Sequence, residues 1–200
     1  MASTAGTIRE RISSLPVGTF VRPRDFADLS STAVDMTLSR LAHDDAYPLV
    51  RVAHGLYWRG VESRFGAGRP DSLAVALELG GAGAGPAGWS AARTLGLTTQ
   101  VPAKVEVAAV NPHTSTASTC FRRRANTLRV NLRAIEVAVL ELLRDGVEKF
   151  GATWASLVAS VRALVDDAQV RVDNLRDAIG AESRSSAEAF YRLVADLGAA

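Results

Sequence analysis

Between Thr32 and His43 two kinds of side chain alternate at helical spacing. With an advance of about 100° per residue, Val34, Leu38 and Leu41 share one face and must pack. Thr32, Met36, Ser39, Arg40 and His43 fall on the other face. That set is small, polar and methyl-bearing, with one long guanidinium, as a reader of the DNA major groove requires. Arg40 is suited to donate two hydrogen bonds to guanine O6 and N7, and Met36 and Thr32 to touch a thymine methyl. Ser30 and Ser31 stand beside the free backbone N–H groups of the helix start, a place that favours phosphate. The competing reading is a solvated face that contacts nothing.

A second set surrounds two β-type runs, 49–52 and 56–58. Arg51 and Arg59 flank them, and His54 sits at the tip beside Gly55, where a wing would meet the sugar–phosphate backbone. Arg22 and Arg24 are placed for the same task before a short helical segment. Each of these arginines reads equally well as a surface residue covering apolar neighbours with its stem. Tyr57 and Trp58 read as core aromatics. Arg122, Arg123 and Arg124 form the densest positive cluster, either a contact for phosphate or an acidic partner, or a solvated strand end.

Other chemistries find little purchase. Gly83-Ala-Gly85-Pro-Ala-Gly88 spells G-x-G-x-x-G, with Glu106 about twenty residues on. A dinucleotide fingerprint needs a preceding strand, an unobstructed helix start and an acid at the end of the next strand. Here a helix-like segment precedes the loop, Pro86 lies inside it, and Glu106 falls mid-strand, so no cofactor is expected. His43, His54 and His113 lack metal-ligand spacing, and one cysteine, Cys120, excludes an internal disulfide or a cysteine-based metal site. Cys120 reads as a small hydrophobe in a strand. Asp166 and Asp167 are sequence neighbours at a helix end and face different directions. No catalytic activity is expected.

The elements that must position these residues follow from periodicity. Ile8, Ile12 and Leu15 predict a helix over 7–15, ended by Pro16 and Gly18. A short strand over 18–21 and a turn or two of helix over 24–29 come next. Thr32-Ala-Val-Asp35 has the form of a helix start, and the helix should run to about Asp44. A hairpin around Ala53-His54-Gly55 completes a winged helix-turn-helix within residues 1–65. Residues 60–70 have a linker's composition.

Beyond it, residues 70–200 predict a short helix over 71–79, a Gly/Ala-rich loop over 80–88 and a helix over 89–95. Strands follow over 105–110 and 119–122, with a candidate third at 128–130. From Arg133 onward the chain reads as helical. Trp154, Leu157, Val158, Val161, Leu164 and Val165 form one stripe, and Phe190, Leu193, Val194 and Leu197 another. The expected class is α+β: an N-terminal winged helix-turn-helix, then a mixed, mainly helical domain with a small β-sheet.

Composition agrees with a globular chain: 200 residues, 48% hydrophobic and 22% charged. No run of apolar residues is long enough to span a membrane, and the arginines near the N-terminus interrupt any signal-peptide core, so the cytoplasm is expected. The net charge is only +2, yet nine arginines face seven acids over residues 1–69, and eight bases face eleven acids over 133–200. Six bases face three acids over residues 70–132, so any polyanion is expected to be handled by the first two thirds of the chain.

Ser39-Arg40-Leu41, Arg51-Val52 and Gly55-Leu56-Tyr57 together resemble the N-terminal winged helix of AbiEi-type antitoxins. Trp89-Ser-Ala-Ala92 and the string Leu95-Gly-Leu-Thr-Thr-Gln-Val-Pro102 are similar to the segment that follows it in that family. The resemblance covers about residues 7–110. It implies a repressor that binds repeats in its own promoter and a partner toxin of the nucleotidyltransferase-like class. DNA contact would fall on residues 32–43 and the wing around His54, and antitoxin work on the segment after Pro70. An ordinary winged-helix repressor, a protein-interaction module and a small nucleotide-binding enzyme are the rival readings.

Overall fold

In the computed structural model, which describes residues 3–61 and 68–198, the chain falls into two units, Met1–Asp71 and Ser72–Ala200. Part of the expected linker, residues 62–67, lies outside the described residues. The flanks of that segment close on each other, since Gly68 donates its N–H to the Val61 carbonyl (3.1 Å).

In the first unit α1 (Thr4–Ser14) begins earlier than periodicity predicted, because the Ser3 hydroxyl caps it by accepting the Gly6 N–H. Ile8 and Ile12 are fully buried on its inner face. After β1 (Thr19–Val21), the expected short helix is one turn of 3-10 helix, Pro23–Phe26, with proline at its first position and Phe26 buried. The Asp25 carboxylate accepts the Arg22 N–H at 2.7 Å and fixes the entry to this turn.

Helix α2 spans Ser31–Ala42. The start predicted at Thr32 is therefore late: the Ser30 carbonyl already accepts the Val34 N–H, so Thr32 lies within the first turn and does not cap it. Val34, Leu38 and Leu41 are buried as their spacing demands, each gaining roughly 1.5–3 kcal/mol from leaving water. Strands β2 (Leu49–Ala53) and β3 (Leu56–Arg59) form the hairpin, closed by His54 and Gly55, where Gly55 takes φ +63° as a tight two-residue turn requires. The sheet order is β1-β3-β2, all antiparallel. Val21, Tyr57 and Leu49 face the helices and join one core with Ile8, Ile12, Phe26 and the α2 stripe. Phe20 and Trp58 stand on the opposite face with ring centroids 4.7 Å apart.

The second unit opens with α3 (Ser72–Gly80) and α4 (Gly88–Thr94). Between them the glycine-rich loop carries a two-residue strand, β4 (Gly85–Pro86), paired antiparallel with β5 (Val105–Ala109). Strand β6 (Thr119–Arg123) runs parallel to β5, giving the order β4-β5-β6. The candidate third strand at 128–130 is instead a 3-10 helix, Thr127–Asn131. Asn126 accepts the Leu128 N–H, and Arg129 turns inward onto carboxylates from distant parts of the chain while Leu128 and Val130 face solvent. Helices α5 (Ala134–Asp145), α6 (Trp154–Asp166), α7 (Val172–Ile179) and α8 (Arg184–Gly198) complete the unit. Helix α5 is buried almost all round, from Glu136 to Leu143. The whole chain is an α+β protein.

Candidate nucleic-acid interface

The outer face of α2 presents Thr32, Met36, Arg40 and His43 to solvent, with Ser39 half-buried at its edge. Met36 is half exposed. Among the described residues Arg40 has no ion pair or side-chain hydrogen bond, and neither does Arg24, which is exposed beside the 3-10 turn. Ser30 and Ser31 are exposed at the start of α2, where no side chain caps the helix, so the first-turn N–H groups remain open to an outside acceptor. His43 closes the other end of α2, its Nδ1 donating to the Ser39 carbonyl at 2.7 Å.

At the hairpin tip Arg51 does not project alone. Its Nη2 donates to His54 Nδ1 at 3.1 Å, and its Nε reaches toward the Ala53 carbonyl at 3.4 Å. A β-bulge between Arg51 and Ala53 re-aims the strand here. Arg51 and His54, both expected at the wing, are thus hydrogen-bonded to each other. Arg51 lies opposite Tyr57 in the ladder, on the face turned to α2. Burial raises the Tyr57 hydroxyl above its ordinary pKa, the Arg51 charge opposes this, and the Asp35 charge reinforces it. Asp35 and Arg51 thus both act on one point between helix and hairpin.

Two other expected contacts stand apart. Arg59 is half-buried at the end of β3 remote from the tip, opposite Thr19 and Leu49. Its Nε is buried without a hydrogen-bond partner among the described residues. By the two-residue alternation of the strand it shares the core-facing side with Tyr57. Arg22 is half-buried next to the 3-10 turn.

The triple-arginine cluster is divided by the fold. Arg122 meets Glu106 at 2.8 Å and Asp145 at 3.1 Å. Arg124 closes on Glu141 through both Nε and Nη2, leaving Arg123 as the exposed member. Arg129, fully buried, donates to Glu141 (2.7 Å) and Glu182 (2.6 Å), and Arg144 reaches the second Glu182 oxygen. Burial opposes ionisation of Glu141, but Arg124 and Arg129 outweigh it and hold the carboxyl below the usual range. Arg171 and two backbone N–H groups do the same for buried Glu136. These cations are consumed by the fold. The signal in the sequence was two glutamates, Glu136 and Glu141, inside the apolar run of α5, which only buried partners can explain.

The glycine-rich loop is likewise structural. Residues 83–88 are all buried, and Gly83 and Gly85 pack on the Arg129 backbone and on Val137. Gly88 has φ +52°, and a Cβ there would strike the Glu106 carboxylate. Among the described residues no group of His, Cys, Asp and Glu is arranged to hold a metal ion, and no helix is long and apolar enough to cross a membrane.

Residues 7–113 match DUF6088, a family of unknown function. The chain belongs to the DUF6088 family. The matched stretch takes in the first unit from α1 onward and continues through β5. No curated protein matches the chain. Among solved structures, the crystal structure of the RV2827C protein from Mycobacterium tuberculosis overlaps it with a TM-score of 0.43 and 16% identity, covering 99% of this chain and 78% of that one. An overlap this loose assigns no function.

Proposed function

We propose that this DUF6088 protein is a sequence-specific DNA-binding repressor of its own operon, with Met1–Asp71 acting as a winged helix-turn-helix. One observation carries the reading: α2 turns outward a methyl-bearing, polar face whose single guanidinium, Arg40, has no ion pair or side-chain hydrogen bond among the described residues. An unpaired arginine among small side chains is what bidentate recognition of guanine needs. The hairpin tip, with Arg51 and His54, then meets the backbone as a wing, while Arg24, Ser30 and Ser31 contact phosphates and fix the register. The chemistry is binding alone, with no catalysed reaction.

The resemblance to AbiEi-type antitoxins extends this proposal. The protein would act in the cytoplasm as the antitoxin of a nucleotidyltransferase-like toxin, with Ser72–Ala200 as the neutralising part. A gene for such a toxin beside its own supports this; an unrelated metabolic gene there favours an ordinary repressor.

The test is a titration of the full chain against a duplex carrying the region upstream of its gene, repeated across salt concentrations. The reading expects log affinity to fall linearly with log salt, by about 0.9 for each phosphate neutralised. Absent or salt-independent binding would instead identify the first unit as a protein-docking module.

A further inference from the structure

We infer that the two histidines of the first unit are set in opposite tautomers by their neighbours, so that His54 serves phosphate and His43 reads an amino group on a base edge. This deepens the DNA-binding proposal above and rests on it. The chemistry follows from which partner can do what. A guanidinium only donates hydrogen bonds, so His54 Nδ1, which meets Arg51 Nη2 at 3.1 Å, must present its lone pair. The ring proton then sits on Nε2. A carbonyl only accepts, so His43 Nδ1, which meets the Ser39 oxygen at 2.7 Å, must carry the proton. In the neutral ring Nε2 of His43 is left as an acceptor.

Both residues are exposed and each engages its Nδ1 within the fold, so Nε2 is the nitrogen each has to offer a partner. His54, on an open turn where nothing crowds Gly55, offers an N–H. Phosphate oxygens accept and never donate, so His54 fits the backbone and not the amino edges of bases. His43 lies on the same face of α2 as Thr32 and Met36 and offers a lone pair, which a phosphate oxygen repels. The donors available to it in a major groove are adenine N6 and cytosine N4. Arg51 is accordingly a positioning residue for His54, and the backbone of α2 plays that part for His43.

Two experiments on the full chain separate this inference from the reading beneath it. The first needs no DNA: long-range proton–nitrogen correlations of nitrogen-15-labelled histidine report which ring nitrogen is protonated. The expected result is Nε2–H for His54 and Nδ1–H for His43. Arg51→Ala should release His54 to mixed tautomers, whereas Arg51→Gln, which keeps a donor without the charge, should retain the pattern. The same tautomer at both rings, or an Arg51→Ala pattern identical to wild type, overturns the inference.

The second is selection from a randomised duplex library. His54→Ala should leave the selected sequence unchanged and weaken binding roughly tenfold, and His54→Gln, which restores an N–H near the Nε2 position, should recover most of that loss. His43→Ala should erase preference at one position where wild type selects adenine or cytosine. A changed consensus with His54→Ala, or an intact one with His43→Ala, overturns the assignment. If wild type enriches no sequence while the tautomers are as expected, it is the sequence-specific DNA reading that fails.

Discussion

In Ser72–Ala200 the guanidinium groups of Arg122, Arg124, Arg129, Arg144 and Arg171 all end on carboxylates. In Met1–Asp71 those of Arg24 and Arg40 end in solvent. The same residue type therefore does two jobs. Where the chain buries arginine, its charge is spent on orienting a core that contains Glu136, Glu141 and Glu182, and none remains to attract a polyanion. Where arginine stands unpaired beside Met36 and Thr32, its donors are available to an outside partner. The densest run of positive charge in the sequence, Arg122–Arg124, has two of its three members in ion pairs, whereas Arg24 and Arg40 have no ion pair among the described residues.

Substitutions should separate the two jobs. The largest effect is expected from Arg129→Ala, which removes one of two arginine partners from each of the buried Glu141 and Glu182 carboxylates and should cost about 3 kcal/mol in denaturant unfolding. DNA affinity of the molecules that remain folded should not change. An unaltered unfolding midpoint would show that the buried network is not what holds this unit.

Acid should expose the same contrast. The Glu136 and Glu141 carboxyls lie below their ordinary range in the fold, so the unfolded chain binds protons more readily there. Their contribution is fully present above the ordinary carboxylate range and is lost as pH falls through it toward the depressed folded values. A pH series of melting curves should show this decline, and Glu141→Gln should flatten it.

Arg40→Ala should do the reverse of Arg129→Ala. It should remove roughly 1–3 kcal/mol from specific DNA binding and relax preference at one base pair, while stability stays within about 0.5 kcal/mol of wild type. Equilibrium binding to single-base variants of a selected site measures the first, thermal melting the second. The smallest effect belongs to Asp35→Asn. Asp35 is exposed and close enough to act on Tyr57 together with Arg51. Loss of its negative charge should raise affinity for random duplex by a factor on the order of a few, read by anisotropy at low salt.

What the sequence disclosed was whatever local spacing decides. The Val34–Leu38–Leu41 stripe, the Ile8–Ile12 pair and the hairpin around Gly55 all follow from periods of 3.6 and 2 and from one turn glycine. What it hid depends on partners far away in the chain. Arg129 turns residues 127–131 into a 3-10 helix because it must reach Glu141 and, beyond it, Glu182. The alternation of Leu128 and Val130 around it imitates a strand. Strand β4 rests on only two residues of the glycine-rich loop, too few for any periodicity. The parallel sense of β6 was illegible too, since residues 110–118 are a link short enough for a hairpin, yet Val105 pairs with Thr119 in a parallel register. At the tip, Arg51 and His54 were both legible as wing residues, but the hydrogen bond between them and the register shift between Arg51 and Ala53 were not.

The central claim, that the solvent face of α2 is the surface laid against DNA, is tested most directly by photo-crosslinking. A benzophenone amino acid placed at Met36 in one variant and at Arg123 in another probes an exposed position in each unit. Irradiation with a duplex from the upstream region should join DNA to the chain from position 36 and not from position 123. Crosslinks from 123 with none from 36 would contradict the account.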